Sequence, residues 1–208
     1  LTLARYAPAG QSSDASGYTS GGWVVTPSTY LDTIDKFPFA SDGNATDVGD
    51  LTEARRTVAG QSSTTSGYSS GGNPGISATM TTTTIDKFPF ASDGNATDVG
   101  DLTYTGRESA GQSSTTSGYN AGGYSGSIGN INIINKFPFS SDANATDVGD
   151  LTQTRTKLVG QSSTASGYSS GGQPPSNTID KFPFSSDGNA TDVGDLTLAR
   201  MLSAGQQY

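Results

Sequence analysis

Cysteine and histidine are both absent from the 208 residues, and each absence removes chemistry. Without cysteine there is no disulfide framework, thiol nucleophile or thiolate metal site, and the redox compartment stays open. Without histidine the commonest general base and metal ligand is gone. Glutamate occurs only as Glu53 and Glu108. No apolar run approaches the roughly 20 residues of a membrane-spanning helix, so membrane insertion is not expected. Eleven basic residues against 19 acidic ones give a net charge of −8. A nucleic-acid partner is not expected either, because such binding needs clustered Lys and Arg. Leu, Ile, Val and Phe together supply 34 of 208 residues, below the level of about 20% that flags disorder.

What is present argues against disorder. KFPFASDGNATDVGDLT at 36–52 recurs at 87–103, at 181–197 with one change, and at 136–152 as KFPFSSDANATDVGDLT. A second string, GQSS followed by SGY and GG, occupies 10–22, 60–72, 111–123 and 160–172. Phe-Pro-Phe starts at 37, 88, 137 and 182, so the period is 45–51 residues. Units of that length share a core between neighbours that one unit could not bury alone. The expected units are 1–52, 53–103, 104–152 and 153–197, with 198–208 starting another. The chain opens at Leu1 with no visible signal peptide, which reads as a processed chain, an excised segment or a piece of something longer.

Each unit reads as four short antiparallel strands, placed in the second copy near Val58–Thr64, Gly67–Gly71, Thr83–Ala91 and Ala96–Leu102. The third alternates around Ile85, Lys87 and Phe88–Phe90 at strand spacing. Ser92–Asn95 and Gly71–Gly72 are turn signals. Pro89 removes a ladder donor, which predicts a bulge or an unpaired edge there. No stretch has helical periodicity with a cap, so the fold class is all-β.

Four strands in 45–51 residues is the size of a propeller blade. The run Leu51–Thr52, Arg55, Ala59–Gly60, then Gly67–Tyr68, Gly71–Gly72 and Ile85–Phe88 resembles the kelch repeat over essentially the whole chain. The resemblance implies a kelch-like β-propeller with an Arg between blades. It departs at the late Trp of kelch blades, here replaced by Ala-Thr-Asp-Val-Gly-Asp. The near-identical frame is also similar, more loosely, to repeat proteins of marine bacteriophages and marine bacteria. The absent cysteine excludes the Tyr–Cys copper site of kelch-type galactose oxidases. The Arg…Ala-Gly-Gln element occurs five times, at Arg5–Gln11, Arg55–Gln61, Arg107–Gln112, Arg155–Gln161 and Arg200–Gln206, against four copies of every other strand. A closed ring with one redundant end, part of a larger array, and an intermolecular assembly all remain open. The Phe pairs are expected to be buried between units.

The copies differ at 23–33, 73–84, 124–133 and 173–178, and again at 53–58, 104–109, 153–159 and 198–203. In an up-down meander both sets of loops emerge at one end, and diverse loops on a rigid frame commonly form binding surfaces. The binding-face candidates are Trp23, Tyr30, Arg56, Tyr104 and Tyr124, the large aromatic and Arg residues of those patches. Free drift of surface loops is the competing reading.

Asp42, Asn44, Asp47 and Asp50, with their equivalents, are oxygen ligands spaced as Ca²⁺ could use, although Asp-Gly-Asn is first of all a turn. No other cofactor is indicated. Asn44, Asn95, Asn144 and Asn189 each head an Asn-Ala-Thr sequon. Lys36, Lys87, Lys136 and Lys181 are expected to pair with neighbouring Asp or cover Phe with their stems, and Tyr18, Tyr68, Tyr119 and Tyr168 to hold unit to unit. No catalytic residue is assigned, because an acid–base pair of frame Asp would recur by symmetry. The expectation is a non-enzymatic structural or recognition protein of a phage virion or microbial surface appendage. Its partner would be a protein or glycan surface, with self-assembly through strand edges as a further partner. The alternatives are a kelch-type protein-interaction adaptor and, more remotely, a carboxylate-based glycosidase.

Overall fold

In a computed structural model that describes residues 1–75, 77, 79–202 and 205, every regular element among those residues is a β-strand. The first sheet contains β1 (Ala9–Ser12) and β2 (Ser16–Ser20). After the short hairpin β3 (Trp23–Val24) and β4 (Thr29–Tyr30), it continues with β5 (Thr33–Pro38) and β6 (Thr46–Asp50). The second holds β7 (Ala59–Ser62), β8 (Ser66–Ser70), β9 (Thr82–Pro89) and β10 (Thr97–Gly106). The third holds β11 (Ala110–Ser113), β12 (Ser117–Ser125), β13 (Gly129–Pro138) and β14 (Thr146–Asp150). The fourth holds β15 (Val159–Ser162), β16 (Ser166–Ser170), β17 (Ser176–Pro183) and β18 (Thr191–Arg200). Each sheet is an antiparallel meander with the same register, Tyr18 opposite Lys36 in the first as Tyr168 is opposite Lys181 in the fourth. Pro89 needs no internal bulge: it is the last residue of β9.

The core lies between consecutive sheets. Tyr18, Ile34 and Leu51 of the first pack on Phe88 and Ala96 of the second. Tyr68, Ile85 and Leu102 pack on Phe137 and Ala145, and Tyr119, Ile134 and Leu151 on Phe182 and Ala190. Three equivalent joints thus carry the hydrophobic clusters of the interior. Each buried Phe or Ile contributes about 1.5–3 kcal/mol relative to exposure.

The expectation about the Phe pairs holds only where a preceding unit exists. Phe88, Phe137 and Phe182 are buried and Phe90, Phe139 and Phe184 half-buried, whereas Phe39 is 56% exposed. Phe37 and Phe39 belong to the first sheet, and among the described residues they pair with each other and with no Tyr.

Polar side chains complete the interior, which explains how so little aliphatic residue suffices. The buried Gln11 amide donates to Ser20 Oγ, Ser69 Oγ and the Tyr68 carbonyl. Gln61 and Gln112 repeat this with the Tyr119 and Tyr168 carbonyls. Buried polar groups satisfied in this way avoid a desolvation penalty of about 1–3 kcal/mol each.

The inner strands meet backbone to backbone. A Cβ on Gly60 would lie 2.3 Å from the Gly10 carbonyl oxygen, and one on Gly111 2.3 Å from that of Gly60. Only glycine permits that approach. Towards one end of these strands Ala7, Thr57, Glu108, Lys157 and Leu202 all take positive φ, from 52° to 57°. Each amide from Thr57 onward donates to the carbonyl of the residue before it in that series. Such φ values are uncommon outside glycine, and here a hydrogen bond to the neighbouring unit holds them.

The four sheets do not close on one another. Among the described residues no hydrogen bond, ion pair or aromatic pair links the fourth sheet to the first. Instead an open cavity of about 820 Å³ lies along the inner strands, lined by Gly10, Gly60, Gly111 and Gly160 and reached by Phe37 and Phe39.

Candidate functional site

Antiparallel connectivity sorts the loops onto two ends. The β1–β2 turn and its copies gather at one end, where Ser13, Ser63, Ser114 and Ser163 line one shallow surface. The Ser-Asp-Gly-Asn turns follow Pro38 and Pro89, which pair with Ser16 and Ser66 at that same end. The loops that vary between copies lie at the other.

There a constant backbone carries changing side chains. Tyr6 bridges Trp23, Arg56 bridges Asn73, Arg107 bridges Tyr124 and Thr156 bridges Gln173, all antiparallel. The Trp23 amide donates to the Tyr6 carbonyl at 2.9 Å, and the Tyr124 amide to that of Arg107 at 2.9 Å. The side chains differ from one matched pair to the next.

Residues of three of the pairs build two cation–π clusters. The Arg56 guanidinium sits 4.8 Å from the Trp23 ring centroid and 5.5 Å from that of Tyr30. Tyr6 flanks Trp23 at 6.4 Å between centroids. Trp23 and Tyr30 come from the first unit and Arg56 from the second, so the cluster spans a joint. Arg107 lies 4.8 Å over Tyr124 and bonds Glu108 at 2.7 Å. Glu108 also accepts from Thr156 Oγ1, and Lys157 donates to Gln173 Oε1. Arg107, Glu108, Tyr124, Lys157 and Gln173 line one open pocket.

Four of the five predicted binding-face residues are therefore on this end, and Tyr104 is not. Tyr104 is buried, with its hydroxyl donating to the Gly122 carbonyl at 2.9 Å and to Asn120 Oδ1 at 3.1 Å. Burial pushes the phenol pKa well above its ordinary range. The reason lies in the frame. Arg5 and Arg155 each send a guanidinium to the carbonyl of the matching glycine, Gly21 and Gly171. Each is also paired with a buried aspartate, Arg5 with Asp35 at 2.6 Å and Arg155 with Asp180; Arg55 takes Asp86 at 2.9 Å. In the third unit that Arg is Gly106, and Tyr104 fills the space: a Cβ on Gly106 would lie 2.3 Å from the Tyr104 ring. The aspartate is correspondingly Asn135, which accepts from the Thr103 amide. Arg and Asp have been lost together, so no unpaired charge is buried. Arg107, one residue late against Gln112, is the counterpart of Arg56 and not of Arg55.

Sequence reading missed Tyr6, which is 66% exposed beside Trp23. Its signal was available: Tyr6 follows Arg5 as Arg56 follows Arg55.

The Asp-Gly-Asn-Ala-Thr-Asp-Val-Gly-Asp string is occupied by joint chemistry. Asn95 Oδ1 accepts from the Asp50 amide, and Asn144 and Asn189 do the same for Asp101 and Asp150. Asp47 Oδ1 accepts from the Gly49 amide within its own turn. Asp93, Asp142 and Asp187 take Lys36, Lys87 and Lys136 at 2.8–3.0 Å. These bonds hold the three lysine amines above their ordinary value. Among the described residues no three acidic side chains converge as a metal-ligating group. Asp42 and Asn44 of the first unit are exposed.

Compared with protein-family models and with curated proteins, the chain matches none.

Proposed function

We propose that this chain is a non-enzymatic recognition scaffold, an arc of kelch-like propeller units displayed on a virion or microbial surface. Its loop end engages a receptor or glycan. The observation that carries this reading is the Trp23–Arg56–Tyr30 cluster, with Tyr6 beside it. Trp, Tyr and Arg dominate the energetics of interfaces. Here they stand together at an exposed end, in a chain whose only tryptophan is Trp23. Rings held by an Arg are pre-ordered, so less conformational freedom is lost on binding. Flat aromatic faces suit the apolar faces of sugar rings, and the guanidinium supplies donors for their hydroxyls or for carboxylates.

The frame supports such a role because main-chain bridges at Tyr6–Trp23, Arg56–Asn73, Arg107–Tyr124 and Thr156–Gln173 hold the bases of the loops. The test is a glycan array and a panel of microbial surfaces probed with the whole chain and with Trp23→Ala/Tyr30→Ala. Binding lost in the double variant, with an unchanged melting temperature, supports the reading. Binding that is absent in the whole chain, or indifferent to both substitutions, defeats it.

A further inference from the structure

The two terminal sheets present opposite halves of one joint, and neither half meets its counterpart among the described residues. The three internal joints define what a complete one contains. A tyrosine of one unit stacks on the second Phe of the next, with centroids 4.8 Å apart at Tyr18–Phe90 and Tyr68–Phe139 and 4.9 Å at Tyr119–Phe184. A lysine reaches the turn aspartate of the next unit, as Lys36 does Asp93. The last residue of the outer strand donates its amide to the next unit's turn asparagine, Asp50 to Asn95, and accepts from the following alanine, Ala96.

The first sheet carries the receiving half, with Phe37, Phe39, Asp42, Asn44 and Ala45 in the positions of Phe88, Phe90, Asp93, Asn95 and Ala96. Phe39 is 56% exposed. The fourth sheet carries the donating half, with Tyr168, Lys181 and Asp195 in the positions of Tyr18, Lys36 and Asp50. Beside them Val193 is 51% exposed, and Ile179 has lost the full burial of Ile34, Ile85 and Ile134. For want of an aspartate, Lys181 lies 5.9 Å over its own Tyr168.

A third pair of features matches. Leu1–Arg5 and Leu196–Arg200 are the same pentapeptide. Arg5 and Thr2 bind Asp35. Arg200 has the same local geometry, its guanidinium bonded to Leu198 O and Thr197 Oγ1 as that of Arg5 is to Leu3 O and Thr2 Oγ1. Among the described residues its partners are Leu198 O and Thr197 Oγ1, with no carboxylate.

From these we infer that the fourth sheet of one chain docks on the first sheet of a second copy, head to tail. Such a contact reproduces the internal joint, with Tyr168 on Phe39, Lys181 on Asp42 and Asp195 on Asn44. Leu196–Arg200 of the donating chain takes over Asp35 from the receiving chain's own Leu1–Arg5. Leu202 and Gly205 already sit against Lys157 and Gly160 as Thr57 and Gly60 sit against Ala7 and Gly10. They take the places of the receiving chain's Ala7 and Gly10, so that its segment Leu1–Gly10 is displaced. The interface is heterologous, so it closes a ring or continues as a filament according to the rotation per copy. The inference concerns the sheet ends and stands independently of what the loop end binds.

The test uses two variants, each blocking one half at an already exposed position. Phe39→Asp spoils the receiving half and Val193→Asp the donating half. Mass is read by light scattering on the whole chain over a range of concentrations. The unaltered chain is expected to exceed 21.2 kDa increasingly with concentration, and each variant to remain at 21.2 kDa. An equimolar mixture of the two should form pairs and nothing larger, since one intact half remains on each. A shortened chain beginning at Tyr6, with Asp35 uncovered, should associate more tightly than the unaltered chain. An unaltered chain that stays at one mass, or variants that associate as it does, overturns the inference. So does a mixture that fails to pair.

Discussion

Tyr18 lies on Phe90 with the two ring planes only 24° apart, and that contact joins the first unit to the second. Phe88 meets the same tyrosine at 5.6 Å and 53°. One aromatic ring from the donating unit is thus held by two from the receiving unit, and the arrangement repeats at Tyr68 and Tyr119.

Removing a ring from inside a joint should cost far more than removing one from an end. Tyr68→Ala is expected to lower stability by about 3–5 kcal/mol, in the range of large aromatic deletions. Tyr168→Ala, whose joint is incomplete, should cost clearly less. Denaturant titration of the two variants decides this, and equal losses would contradict the joint described here.

The buried Arg155–Asp180 pair makes a second expectation. Asp180→Asn alone leaves a guanidinium in the interior without its counter-charge and should cost about 3–5 kcal/mol. The third unit shows the remedy. Transplanting it as Gln153→Tyr, Arg155→Gly, Ser169→Asn and Asp180→Asn should restore most of the loss. Thermal melts of the single and fourfold variants are the measurement, and a fourfold variant no better than the single would refute the compensation between Tyr104 and Asn135.

Asn95 supports a joint by accepting the Asp50 amide at 3.1 Å. Asn95→Ala should therefore lower stability by about 0.5–1.5 kcal/mol. The loss should be the same in calcium and in chelator, because the side chain serves a backbone amide. A loss seen only in calcium would reassign the turn to metal binding.

Alkaline pH should weaken the fold before acid does so through these groups. Lys87 and Lys136 are held above their ordinary 10.5 by Asp142 and Asp187. The Tyr68 and Tyr119 phenols are raised above 10.0 by burial. In all four the folded state keeps the proton more tightly, so the unfolded chain releases it first. Their contribution is fully present below the unfolded values and is lost as pH rises through the folded ones. Urea midpoints should be flat from about pH 7 to about pH 9 and fall above about pH 10. A midpoint unchanged beyond that window would be inconsistent with the pairing.

The strands were legible because the frame repeats. Ile85, Lys87 and Phe88 announce β9 by alternation, and Ser92–Asn95 marks its turn. The lysine and tyrosine roles were legible too, since a residue present once in every unit is better explained by a contact made at every joint than by a single site. Tyr104 was not, because it replaces Arg55 from two positions upstream, so alignment by letter places it among the loops. The open ends were not legible either. A joint between neighbours has the same sequence requirements in a closed ring and in an open row, and the pattern of Phe and Tyr cannot distinguish them.

The hydrogen bonds that run from Thr57 to Ala7, Glu108 to Thr57, Lys157 to Glu108 and Leu202 to Lys157 use main-chain atoms alone. The five residues that make them are an alanine, a threonine, a glutamate, a lysine and a leucine, so that position accepts side chains of widely different chemistry. A gene carrying near-identical copies of such a segment is prone to unequal recombination. A copy gained or lost in that way adds or removes one unit and one pair of loops, and it leaves these main-chain bonds between the survivors unchanged. The repertoire of loop ends can therefore lengthen, shorten or be reordered in single genetic steps, without a compensating mutation at these five positions.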